Sequence, residues 1–176
     1  MGRLSVDEYR LSEKLPLVVV LDNVRSQNNI GSVFRTGDAF RIERVCLCGI
    51  CSTPPHRDIH KTALGAEESV EWTYYEQTPD CVNTLKAHGY MVLAIEQTHD
   101  SISLENMELM LCESQARPAG IALVLGNEVK GVHQEVIDVS NGCLEIPQYG
   151  TKHSMNVSVA AGIAIYHFML RTFFTL

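Results

Sequence analysis

The chain has 176 residues, of which 45% are hydrophobic and 20% charged, and it carries a formal net charge of −7. Such a composition is that of an ordinary globular domain with a substantial core, which excludes a disordered or fibrous chain, and no apolar run reaches the roughly 18 residues of a membrane span. The acidic balance excludes a surface that is basic all over, but it leaves room for a local basic face toward a polyanion.

Residues 1–14 (MGRLSVDEYRLSEK) lack an apolar signal core and suit a short helix. Leu17–Leu21 then reads as a strand, and Asn29–Phe40 as a helix with Ile30, Val33, Phe34 and Phe40 at helical spacing. Strands follow at Arg44–Cys48 and Glu71–Tyr75, a helix at Pro79–His88, and strands at Met91–Ile95 and Ile121–Leu125. Val132–Ile137 reads as a helix, Cys143–Ile146 as a strand, and Val157–Phe168 as a helix. The strands are rich in Val, Ile and Leu, as strands covered on both faces are. This alternation predicts one α/β domain over residues 1–176, with a mainly parallel sheet flanked by helices. There is no internal repeat and no linker, and no appended RNA-binding domain is expected. The six cysteines are expected to stay reduced in a cytoplasmic protein.

Charge is unevenly spread. Residues 25–61 hold Arg25, Arg35, Arg41, Arg44, Arg57 and Lys61 against three acids, whereas residues 62–145 hold three basic residues against fourteen acidic ones. The first segment therefore suits either a solvated mixed-charge face or a local contact for a polyanion.

Three polar, Gly-containing stretches follow strands, and ligands in open α/β sheets bind beyond the carboxyl ends of strands. In Asp22–Thr36 an amide-rich loop enters a helix, with Asn29 in its first turn and Arg35 in its second. Asn29 can be a helix cap, and Arg35 offers a planar fork for phosphate. In Leu123–Gly131 (LVLGNEVKG) a strand ends on Gly126, with Glu128 close behind. This is neither a Walker A loop nor a G-x-G-x-x-G fingerprint, and by itself it reads equally as a tight turn. In Ile146–Tyr166 a loop leads through Ser154 and Asn156 into a helix of small residues, Ala160, Ala161, Gly162 and Ala164. A glycine inside a helix costs about 1 kcal/mol relative to alanine, so close packing against another backbone is expected there. Ser154 and Asn156 suit caps or ligands.

Taken together and in this order, NNIGSVFRTGDAF, LVLGNEVKG and IPQYGTKHSMNVSVAAGIAIYH resemble the three signature motifs of the SpoU/TrmH family of RNA methyltransferases, and TPPHRDIHKTALGAEESVEW resembles its connector. The resemblance spans roughly residues 17–170. It implies a SPOUT fold with a C-terminal trefoil knot, a rare exception to unknotted topology. It further implies a cytoplasmic homodimer that transfers a methyl group from S-adenosyl-L-methionine (AdoMet) to a ribose 2′-hydroxyl of tRNA or rRNA, with neither DNA nor membrane as a partner. By the same resemblance Ile95, Gly126, Ile146, Ser154 and Met155 contact the cofactor, and Arg35, Asn29, Glu128, Ser154 and Asn156 form the catalytic set. Arg35 is permanently charged, so it suits orienting the hydroxyl and its phosphate better than acting as base. Two positions depart from the family pattern: Arg41 where glycine is common, and Gln148 where methionine is usual. Two other classes fit the same stretches, a knotted RNA-binding protein without transfer and a different nucleotide-binding α/β enzyme.

Cys48-x2-Cys51-x4-His56-x3-His60 invites a zinc reading, since the spacing approaches that of a zinc knuckle. Against it, Cys48 closes a strand and Pro54-Pro55 stiffens the loop, so no metal is expected. Most of Cys46, Cys81, Cys112 and Cys143 are expected in the core. His88, His99, His133 and His167 are expected to be isolated surface or satisfied core residues.

Overall fold

The computed structural model describes residues 4–107, 118–152 and 154–174, with side chains of the C-terminal helix described as far as residue 171. Among these, seven strands form one sheet whose pairings are all parallel. They are β1 (Leu15–Asp22), β2 (Ile42–Cys48), β3 (Glu71–Tyr75), β4 (Tyr90–Ile95), β5 (Ile102–Ser103), β6 (Gly120–Leu125) and β7 (Gly142–Glu145). Their spatial order is β3-β2-β1-β6-β4-β7-β5. The two-residue β5 is absent from the sequence prediction, because a period-2 pattern cannot show itself in two residues. The strand expected at Cys143–Ile146 is shifted by one residue, and Ile146 opens the next loop instead.

The helices are α1 (Val6–Leu11), α2 (Gln27–Phe40), α3 (Arg57–Ala63), α4 (Ala66–Ser69), α5 (Thr78–Ala87), α6 (Gln134–Val139) and α7 (Val157–Phe174), with a 3-10 turn at Leu104–Asn106. α1 is the short N-terminal helix, started by a capping box between Ser5 and Glu8. α3 and α4 were not predicted. α3 buries only Ile59 and Ala63, too few apolar residues to display a helical period, and its cap is the His56 ring, whose Nδ1 accepts from the Asp58 N–H.

Period-2 alternation along β1 divides the core. Leu15, Leu17, Val19 and Leu21 face α1 to α4 and α7, while Val18 and Val20 face α5 and α6. Each such side chain, fully removed from water, contributes about 1.5–3 kcal/mol, so a charge placed at Val19 would disrupt the sheet. α2 and α3 touch closely: a Cβ added to Gly31 would stand 2.2 Å from Thr62 Oγ1 and 2.3 Å from the Ile59 carbonyl. Cys46, Cys81 and Cys143 are buried as expected, and Cys112 lies outside the described residues. Because every strand runs the same way, the loops after β1, β4, β6 and β7 all leave from one edge of the sheet.

Candidate active site

The loops after β4, β6 and β7 enclose a cavity of 270 Å³. Ile95, Gly126, Ile146, Ser154 and Met155, read from sequence as cofactor contacts, all line it, and so does Gln148. The loop after β6 is closed on itself: Asn127 N–H donates to the Gly131 carbonyl at 3.0 Å and Gly131 N–H returns to Asn127 at 2.9 Å. The Asn127 side chain accepts from the backbone N–H groups of Val129 and Lys130. A Cβ at Gly126 would meet the backbone of Gly131 and Val132 at 2.1 Å, so only glycine lets this loop fold so tightly against its own strand. From the β4 side Glu96 braces it, accepting from Val132 N–H at 2.9 Å. Glu96, Glu128 and Glu145 line the cavity against a single cation, Lys130, which favours a ligand carrying positive charge.

The first motif joins this cavity through Glu128. That carboxylate accepts from the Arg25 N–H at 3.1 Å, the Ser26 N–H at 3.0 Å and Asn29 Nδ2 at 3.0 Å. Burial pushes the Glu128 carboxyl up, but the donors from Arg25, its own backbone, Asn29 and Ser26 outweigh that and hold it below the usual carboxylate value. Asn29 is not the helix cap, since Ser26 Oγ fills that role. Its Oδ1 is left to accept from Asn156 Nδ2 at 3.2 Å. Asn156 in turn caps α7, its Oδ1 accepting from Ser158 N–H at 2.9 Å and Ser158 Oγ at 2.6 Å. Asn29, Glu128 and Asn156 thus form one polar chain across all three motifs, with Ser154 beside it on the cavity wall.

Arg35 is not part of that chain. It is exposed two turns along α2 and lines a different groove with Tyr9, Asp38 and Arg41. Arg41 closes α2 in the left-handed conformation, φ 51°, which is a physical reason for glycine to be common there. Gly162 also differs from expectation. A Cβ there would meet nothing within 4 Å, so among the described residues the close neighbour expected from its sequence is absent. It lies on an exposed stripe of α7 with Val159, Ile163 and Tyr166, which are 51%, 38% and 49% exposed.

Sequence reasoning missed Asp22 and His133. Asp22 is fully buried at the end of β1 and accepts from Thr78 Oγ1 at 2.6 Å, Asn23 Nδ2 at 2.8 Å and His133 N–H at 2.9 Å. The His133 ring also reaches it, Nδ1 to Oδ2 at 2.9 Å. Asn127 Nδ2 donates to the Asn23 carbonyl at 2.7 Å. This knot of bonds buckles the first loop to the second. The one available signal was a carboxylate at the end of an otherwise apolar strand.

The rival zinc residues are occupied separately. Cys51 Sγ donates to the Leu21 carbonyl at 3.3 Å, and burial pushes its thiol up to about 12. His56 caps α3 and His60 Nδ1 meets Glu67 at 2.5 Å. Among the described residues no group of three or more His, Cys, Asp or Glu side chains could hold a metal ion.

Residues 16–166 match the model of the SpoU rRNA Methylase family. The chain is 29% identical over 150 residues to the 23S rRNA (guanosine-2′-O-)-methyltransferase RlmB of Neisseria meningitidis, covering 85% of this chain and 56% of that protein. It spans about six-tenths of the length of the curated relatives it matches. Its fold is similar to that of the TrmH/SpoU tRNA modifying enzyme of A. aeolicus, with TM-score 0.79, 24% identity, and coverage of 95% of this chain and 81% of the other. It is also similar to the AdoMet-bound rRNA methyltransferase of Sinorhizobium meliloti, with TM-score 0.76, 24% identity, and coverage of 97% and 62%.

Proposed function

The chain belongs to the SpoU rRNA methylase family, and from that premise we propose that it transfers a methyl group from AdoMet to a ribose 2′-hydroxyl of tRNA or rRNA. The observation that carries this reading is the Glu128–Asn29–Asn156 chain, which brings three separate loops to the mouth of one cavity. The residues present fit the cofactor. Ile95, Leu125, Ile146 and Val157 offer apolar contact, Gly126 keeps the loop backbone close, and three carboxylates complement a sulfonium cation. When bound, AdoMet supplies an electrophilic methyl group.

The chain's own residues supply binding and orientation. Asn156 holds the start of α7 beside Ser154, while Glu128 fixes the Arg25–Ser26 backbone and the Asn29 amide. Arg35 lies outside this protomer's cavity, so as the orienting cation for the 2′-hydroxyl and its neighbouring phosphate it would act toward the cavity of a second copy; a guanidinium is always charged and forks toward two oxygens. The loop after β7 lines the same cavity as the loops after β4 and β6 on its way to α7, as the knotted topology of the family requires.

A homodimer belongs to the same reading. The exposed stripe Val159, Gly162, Ile163 and Tyr166 runs beside α2, with the Tyr166 and Phe40 rings 5.9 Å apart. A second copy packed there would supply the close neighbour that Gly162 lacks and would place a surface next to Arg35. The buried free thiols Cys46, Cys48, Cys51, Cys81 and Cys143 suit the reducing cytoplasm. No helix among the described residues is long and apolar enough to cross a membrane.

The test is transfer of label from methyl-labelled AdoMet to bulk tRNA and rRNA, followed by alkaline hydrolysis. Label in alkali-resistant dinucleotides is expected, because a methylated 2′-oxygen cannot cleave its phosphodiester. Label released in mononucleotides would refute the 2′-O assignment. AdoMet and RNA binding without transfer would favour the non-catalytic reading, and binding of NAD or ATP in place of AdoMet would favour another nucleotide enzyme.

A further inference from the structure

A second groove, of 560 Å³, shares no lining residue with the cofactor cavity. α3 turns Ile59, Thr62 and Ala63 toward α2 and presents Arg57 and His60 to this groove. Thr62 Oγ1 ties the helix to the start of α2 by donating to the Asn28 carbonyl at 2.8 Å. Trp72, partly exposed on the edge strand β3, and Pro54-Pro55 line it as well. Below lies Glu67, whose side chain is only 8% exposed. Its Oε1 sits 2.5 Å from His60 Nδ1, and its Oε2 is buried without a hydrogen-bond partner. A buried acceptor left unmade costs about 1–3 kcal/mol, so Glu67 is a group in want of a donor.

The chemistry selects the occupant. Flat apolar faces of Trp72 and the prolines suit a π-face, and sequence-reading of RNA relies on unstacked bases laid on such surfaces. Glu67 and Glu68 beside Arg57 disfavour a bare phosphate, while the unpartnered carboxylate oxygen suits an exocyclic amino group, which projects farther from a stacked ring than the ring N–H of uracil. Arg57 is exposed and forms no ion pair among the described residues, which suits it to the phosphate next to that base.

We infer that this groove takes one unstacked nucleobase of the substrate RNA, bearing an exocyclic amino group and flanking the nucleotide that is methylated. The base stacks on Trp72, its amino group donates to Glu67, and Arg57 meets the adjoining phosphate. For the donor to reach the buried oxygen of Glu67, His60, 63% exposed and in contact with the other oxygen, must move aside. The ligand's being RNA rests on the methyltransferase reading above.

Trp72 is the chain's single tryptophan, so its fluorescence reports this groove alone. Uridine pentanucleotides with guanosine, adenosine or cytidine at the centre are expected to quench it saturably, about tenfold more tightly than the all-uridine strand. Glu67→Gln, which leaves one uncharged acceptor oxygen, should weaken that preference, and Arg57→Ala should weaken all four strands alike. Absence of saturable quenching, or equal binding of all four strands that Glu67→Gln leaves unchanged, would overturn the inference. Methyl transfer by the wild-type protein is measured in parallel. Transfer without quenching overturns the groove and leaves the methyltransferase reading standing. Quenching with the amino-base preference in a protein that transfers no methyl group supports the groove while the other reading fails.

Discussion

The Asn29 amide is held at both ends: its nitrogen donates to Glu128 Oε1 at 3.0 Å, and its oxygen accepts from Asn156 at 3.2 Å. This fixes which way the amide points, and it makes Asn29 sensitive to charge as well as to size. Asn29→Asp sets a carboxylate against the Glu128 carboxylate and should harm the site more than Asn29→Ala. For the alanine variant a fall in kcat of about 10- to 100-fold is expected, since small misplacements near a reacting centre are that expensive. An aspartate variant as active as the alanine one would show that the amide's direction is immaterial.

Arg35→Ala should abolish methyl transfer, by about 100-fold or more, with AdoMet affinity unchanged, because Arg35 does not line the cofactor cavity. Calorimetric titration with AdoMet beside a transfer assay separates the two quantities. A loss of cofactor affinity equal to the loss of rate would contradict this assignment.

For Glu128 the sign of the pH dependence follows from its lowered pKa. The carboxyl is held below its ordinary 4.5, so folding favours the ionised form. The associated stabilisation is fully present above that ordinary value and disappears as pH falls through the folded-state value. The melting-temperature gap between wild type and Glu128→Gln should therefore be constant at neutral pH and should close at acid pH below 4.5. A gap that widens on acidification would contradict the hydrogen-bond pattern described for this residue.

Gly162→Ala distinguishes packing within the chain from packing between chains. Nothing within 4 Å obstructs the added methyl, so an isolated protomer should gain about 1 kcal/mol of helix stability. If a second copy sits against the stripe, the same methyl should weaken association about tenfold or more. Sedimentation velocity over a dilution series reads the association, and melts at low protein concentration read the protomer.

Arg41→Gly should raise stability by about 0.5–1 kcal/mol, because it relieves a left-handed residue at φ 51° at the end of α2. The carbonyl bond that Arg41 accepts from Leu15 N–H, at 2.8 Å, is backbone and survives the change. Thermal unfolding should show a rise of roughly 1–4 °C.

What the sequence made legible follows from how much of each feature is local. Val/Leu-rich strands and the long helices α2 and α7 announce themselves by period, and so the parallel α/β sheet was readable. Ile95, Gly126, Ile146, Ser154 and Met155 are singled out by motif resemblance alone, and the structure brings all five to the lining of one cavity. By contrast the Asp22–His133 contact joins residues 111 apart in the chain, and nothing near either one signals the other. Gly162 was misjudged for a related reason: a helical glycine signals a close neighbour but does not say in which chain. α3 escaped because two buried residues do not make a pattern.

The loop from Gly126 to Gly131 is at once a wall of the cavity and, through Glu128, the support on which the first turn of α2 rests. A ligand that shifts this loop on entering the cavity would therefore change the free energy of arranging the face that carries Asn29. By thermodynamic reciprocity, whatever settles on that face alters retention in the cavity by the same factor. Heterotropic linkage of the two binding events is the expected outcome, and a closed cycle of the four equilibrium constants, with and without each partner, would give its size directly.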